Sequence, residues 1–89
     1  MNKYKQKSSV LIVDDEDNFR ESLEMAIEDI FDVSGAGSLA AAREYVNKKV
    51  PDGILLDIRL TDGNGVEFLQ ELKLSGRILI TLRFKVRYW

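Results

Sequence analysis

Residues 53–68 read GILLDIRLTDGNGVEF, and the order of residue types in this stretch decides the fold. Gly53–Leu56 is a continuous apolar run of the kind that lies buried on both faces in a parallel sheet. It runs straight into Asp57. A carboxylate at the end of a buried strand is costly unless something binds it or reacts with it. The glycine-punctuated turn Thr61–Gly65 follows, with Asp62-Gly63 and Asn64-Gly65 supplying backbone freedom. VEFLQELKL then places Val66, Leu69 and Leu72 on one helical stripe.

The same pattern stands upstream. Val10–Val13 (VLIV) is apolar and rich in β-branched residues, and it runs into Asp14, Asp15, Glu16 and Asp17. In NFRESLEMAIEDI, residues 18–30, Phe19, Leu23, Ala26, Ile27 and Ile30 recur at helical spacing, with Asp17 or Asn18 placed to cap the start. FDVSGA (31–36) reads as a second strand. Ser38 opens SLAAAREYVNKK, a helix with Leu39, Ala42, Tyr45 and Val46 inward and lysines in its last turn, and Pro51 and Asp52 break the chain after it. Strand and helix in strict alternation predict an α/β fold with a parallel sheet and right-handed crossovers. From residue 78 to 88 the period changes. Apolar residues hold every even position from Ile78 to Tyr88, while Thr81, Arg83, Lys85 and Arg87 stand at odd ones, which predicts one long strand with a wet face.

The 89 residues allow one domain, and the 45% apolar and 31% charged shares fit a folded globule. With no cysteine there is no disulfide framework or thiolate metal site. With no histidine, the usual general base, the usual zinc ligand and an internal phosphohistidine are all lacking. MNKYKQKSSVLIV is basic and then apolar only briefly, too short to span a bilayer and without a cleavage region, so a cytoplasmic location is expected. Residues 8–72 hold all 15 acids against five bases, and the other bases sit near the two ends. An acidic body repels nucleic acid, so no nucleic-acid partner is expected.

In a parallel sheet ligands gather at the carboxyl ends of strands. If the first and third strands are neighbours, Asp14, Asp15 and Asp57 converge on one small volume. Raised pKa values or a divalent cation would relieve the repulsion among them, and an oxygen-only donor set suits Mg²⁺. The bland alternative is that these are strand-end and cap residues. It serves for Asp17 and Asn18 but fails for Asp57, where no helix begins until several residues later.

VLIVDDE, then an amphipathic helix, then PDGILLDIRLTDGNGVEFL resembles the receiver domain of bacterial two-component response regulators, over about residues 8–75. The resemblance implies a flavodoxin-like, doubly wound parallel sheet. Here it is incomplete: strand–helix–strand–helix–strand–helix–strand, without the usual last strand and helices, and with residues 76–89 as an atypical long strand or tail of the single domain 1–89. It implies that Asp57 accepts a phosphoryl group from a histidine kinase in trans. Asp15 and Asp57 would hold Mg²⁺ with the backbone carbonyl of Arg59, and Asp14 would act mostly through water. The chain would then be a phosphoacceptor with self-catalysed transfer and dephosphorylation, and not an enzyme acting on a separate substrate.

Three departures accompany the resemblance. Thr61 stands where the family usually has Pro. Thr81 is the candidate for the family's phosphoryl-binding hydroxyl, yet it lies closer to Asp57 in sequence than is usual. The family's Lys sits on a fifth strand; Lys85 lies on the same strand as Thr81. A shortened sheet also leaves a bare edge, which predicts a homo-oligomer joined through the Ile78–Tyr88 strand. Against the phosphoacceptor stand a phosphorylation-independent dimerisation or interaction module and a truncated or frameshifted product. A haloacid-dehalogenase-type phosphatase requires a second Asp where Arg59 stands. DNA binding through the basic tail lacks anything resembling a recognition helix.

Overall fold

The computed structural model describes residues 7–57, 59–60, 63–75 and 79–83. β1 (Ser9–Val13), α1 (Asp17–Ile27), β2 (Asp32–Ala36), α2 (Leu39–Lys48) and β3 (Gly53–Asp57) follow in turn. Two short strands, β4 (Arg59–Leu60) and β5 (Gly63–Asn64), then precede α3 (Gly65–Ser75) and β6 (Leu79–Arg83). The main sheet has the order β2-β1-β3-β6, and every pairing in it is parallel. The strands expected from apolar runs are all present. Residues 79–83 of the expected Ile78–Tyr88 strand form β6; Ile78 and residues 84–89 lie outside the described residues.

One face of the sheet carries the core. Leu11, Val13, Ala36, Ile54 and Leu56 pack with Leu39 and Ala42 of α2 and with Phe68 and Leu72 of α3, and Tyr45, Val46 and Leu69 lie against them. Ser38 caps α2 as expected, accepting the Ala41 amide through Oγ at 3.0 Å. On α3 the expected Leu69 and Leu72 face the core, and Val66 alone of the expected stripe does not. Val66 is 40% exposed, and the i, i+4 pair Phe68/Leu72 is buried in its place. Val66 stands in the first turn of the helix, where Asn64 Oδ1 accepts its amide at 2.8 Å.

The other face is covered by α1 alone among the described helices. Ile12 is buried there, but α1 itself buries no residue; Phe19 is 39% and Ile30 66% exposed, against the inward stripe expected from spacing. Ile30 has left the helix. The chain turns after Ile27, whose carbonyl accepts the amides of Ile30 and Phe31, so that Asp32 can donate to Ser8 and enter β2. At the start of α1 the cap position falls on Glu16, not on Asp17 or Asn18. Glu16 makes no side-chain cap bond, and its own amide donates to Asp14 Oδ1 at 2.9 Å.

At the far end of the sheet Ser9 and Asp52 clasp β1 to the entry of β3. Asp52 Oδ2 accepts the Ser9 amide at 2.7 Å and the Ser9 hydroxyl at 3.2 Å, while the Asp52 amide donates to the Ser9 carbonyl at 2.9 Å. The β4–β5 pair is antiparallel, with Arg59 opposite Asn64 and Leu60 opposite Gly63, and no periodicity in residues 59–64 announces it. Gly63 has φ +155°, and a Cβ there would meet Leu39 Cδ1 at 2.9 Å. The pair is thus set down on the first residue of α2, as only glycine permits.

Candidate acidic phosphoryl and metal site

β1 and β3 are neighbours, with Val13 opposite Leu56. The next residue on each strand is an aspartate, so Asp14 and Asp57 arrive side by side at the carboxyl edge of the sheet. Both are fully buried, and Asp15 is half-buried beside them. One carboxylate oxygen from each of the three lies within 4.8 Å of the others. The convergence expected from the two strand ends is therefore present. The strand order brings it about, with β1 paired directly to β3 and β2 on the outer side of β1.

Each residue is set by a separate device. Asp14 still belongs to the sheet through its amide, which donates to Ala36 O at 3.0 Å, and its side chain turns back to the Glu16 amide. Asp57 is the last residue of β3, held by the register Asp57 opposite Arg83. Its Oδ2 is buried and accepts no hydrogen bond, although Asp57 as a residue has other polar interactions. A buried carboxylate oxygen without a donor, beside two further carboxylates, fits a hard divalent cation that takes oxygen ligands. The donor set at hand is Asp14, Asp15 and Asp57.

The remaining candidate residues stand differently. The Arg59 backbone lies in β4, two residues past Asp57, paired with Asn64. Thr81 is level with Leu55, two residues short of Asp57, and Arg83 holds the register position beside the aspartate. Thr61 and Lys85 lie outside the described residues. Sequence reading missed Arg20, which is 14% exposed at its side chain and donates through Nη1 to the Asp14 carbonyl at 2.7 Å. Its spacing to Asp17 and Glu24, at i−3 and i+4, was legible as a helix-surface pair; the contact with the strand end was not.

The sequence profile described as "Response regulator receiver domain" matches residues 10–84. Among curated proteins, the chain is 35% identical over 71 residues to Response regulator Rre1 of Synechocystis, a match covering 78% of this chain and 31% of that one. It is 39% identical over 67 residues to the KDP operon transcriptional regulatory protein KdpE of Escherichia coli, covering 74% of this chain and 30% of that one. The chain thus spans about a third of the length of these curated relatives. Among solved structures, the MaeR response regulator bound to beryllium trifluoride superposes with a TM-score of 0.80 at 28% identity, covering 91% of this chain and 70% of that chain.

Proposed function

The chain belongs to the response regulator receiver domain family, and we propose that it acts as the Mg²⁺-dependent phosphoacceptor of a two-component relay, with Asp57 as the residue phosphorylated. The observation that carries this reading is the buried Asp57 at the end of β3, within 4.8 Å of Asp14 and Asp15 across the β1–β3 pair. The similarity to a response regulator bound to beryllium trifluoride supports it, because that group has the shape and charge of a phosphoryl group.

In this reading an Asp57 oxygen attacks phosphorus, and the bond from phosphorus to the donor breaks. The donor atom keeps the electron pair, and Asp57 becomes a mixed anhydride. Water reverses the modification by attack at the same phosphorus, returning the carboxylate and releasing phosphate. Both nucleophile and phosphoryl group are anionic. A bound Mg²⁺ supplies charge neutralisation between them and in the transition state. Asp14, Asp15 and Asp57, with the Arg59 carbonyl, are the groups that would hold it. The chain has no histidine, so the phosphoryl group comes from a histidine kinase or a small acyl phosphate. The activity is self-modification, and the protein is not an enzyme with a separate substrate. Among the described residues no helix is long and apolar enough to cross a membrane.

Incubation with acetyl phosphate and Mg²⁺, followed by intact-protein mass spectrometry, tests the proposal. One phosphoryl group should be gained, dependent on Mg²⁺ and lost in Asp57→Asn. A folded protein that gains no phosphoryl group and binds no beryllofluoride would overturn it.

A second reading is a dimerisation module independent of phosphorylation. It is favoured by the position of β6 at an edge of the main sheet, where no further strand among the described residues pairs with it, an arrangement that invites a second copy. Light scattering at micromolar concentration should give a homodimer, unchanged by Asp57→Ala; a monomer would exclude it.

A further inference from the structure

The Arg20 side chain is built into the support of the acidic site. It lies along a groove in the β2 end of the sheet that exists because two residues there are glycine. A Cβ on Gly35 would meet Arg20 Cδ at 3.1 Å and also the Glu24 carboxylate, and a Cβ on Gly37 would lie 3.2 Å from Arg20 Nη1. Along this groove the guanidinium uses all three of its nitrogens. Nη1 donates to the Asp14 carbonyl at 2.7 Å, Nη2 pairs with Asp17 Oδ1 at 2.9 Å, and Nε lies 3.6 Å from Glu24 Oε2.

Only the first of these contacts reaches the site. It falls on the peptide that joins Asp14 to Asp15, the two residues whose carboxylates must both face Asp57. That peptide is the point where the chain leaves the sheet, and its orientation decides where the Asp15 side chain goes. A planar guanidinium with fixed donor directions is suited to hold such a peptide in one orientation, and a lysine ammonium is not. Asp17 and Glu24 hold the other two nitrogens, and so aim the first.

We propose that Arg20 is a positioning residue for the cation site: through the Asp14 carbonyl it fixes the Asp14–Asp15 peptide, and so the spacing of the carboxylates that bind Mg²⁺. The proposal rests on the reading of this cluster as a Mg²⁺ site. Its signature is a sign. As a bare positive charge beside the cluster, Arg20 opposes cation binding, and its removal would tighten the Mg²⁺ complex. As a positioning group, its removal loosens the complex.

Calorimetric titration of the folded protein with MgCl₂ separates the two. Arg20→Ala should raise the Mg²⁺ dissociation constant by about tenfold, the usual scale for a lost outer-shell support. Arg20→Lys should recover little of it despite restoring the charge. Gly37→Ala, which presses on Nη1 and leaves the charge in place, should weaken binding in the same direction, and it carries the test if Arg20→Ala does not fold. Unchanged or tighter binding in the folded variants would overturn the assignment of Arg20. Absence of Mg²⁺ binding to the unmodified protein would instead overturn the reading of the cluster.

Discussion

Replacing Asp57 with asparagine should make the protein more stable in the absence of divalent cations and at the same time abolish its stabilisation by Mg²⁺. Three carboxylates with oxygens within 4.8 Å of one another repel, and two of the residues are fully buried. At that spacing a like-charged pair costs on the order of a few kcal/mol at an effective dielectric constant of about 20. Asparagine keeps the shape and removes one charge. A gain of about 1 kcal/mol would raise the melting temperature by roughly 4–8 °C in a domain of this size. Mg²⁺ works in the opposite sense on the unmodified protein. A cation at a hundred times its dissociation constant stabilises the folded state by about 2.7 kcal/mol. Thermal unfolding of both proteins, each with EDTA and with MgCl₂, therefore gives a crossed pattern. The unmodified protein is the less stable without Mg²⁺ and gains when it is added; Asp57→Asn gains little. Equal responses of the two to Mg²⁺ would place cation binding elsewhere.

The second large effect is expected at Phe68. It is 1% exposed in α3 and packs with Leu39 and Ala42 of α2 and with the sheet, and Arg43 of α2 lies over its ring at 5.5 Å from the centroid. Phe68→Ala empties the centre of the core face and should cost about 3–5 kcal/mol in denaturant unfolding. For a chain with so small a core this is a large part of the total. Glu71, one turn along, offers an internal contrast. Arg43 grips its carboxylate with Nε and Nη2 at 3.0 and 2.7 Å, and this hydrogen bonding holds the Glu71 pKa below its usual value. A lowered folded-state pKa means that the pair contributes above the ordinary glutamate range and is lost as pH falls through it. Both groups are about half exposed, so Glu71→Gln should cost under about 1 kcal/mol near neutral pH and nothing in acid. The Phe68→Ala deficit should persist at both. A deficit for Glu71→Gln as large as that for Phe68→Ala would mean that the ion pair, and not the ring, joins α2 to α3.

The parts of the fold that were legible in the sequence are those where one interaction decides the outcome. VLIV and GILL are short apolar runs that suit strands buried on both faces, and each runs into aspartate, so the acidic cluster follows wherever the two strands are neighbours. Ser38 declares a helix start by chemistry local to it. Elsewhere two demands competed. The spacing in residues 18–30 predicts one inward stripe, but α1 ends at Ile27 and leaves Ile30 outside it, and Phe19 stays exposed where little among the described residues packs on the helix. The helix start falls at Glu16, ahead of Asp17 and Asn18, where Asp14 at the strand end holds the Glu16 amide, a contact between elements that no local cap pattern carries. Val66 lies in the capped first turn and stays exposed, while Phe68, off the expected stripe, fills the core. Arg20 has no signature in one dimension. Its role depends on two glycines that stand fifteen and seventeen positions later and on a carbonyl that belongs to another element.

The spacing of the acidic cluster has an origin that outlasts any particular side chain. Hydrogen-bonded strands run about 4.8 Å apart in every sheet, whatever their sequence. Asp14 and Asp57 stand at adjoining ends of one such pair, so the peptide backbone itself acts as the ruler for their separation. Substitutions across the helices can therefore accumulate without altering that gauge, provided the two central strands remain joined. The chemistry of the edge is inherited from the ladder beneath it.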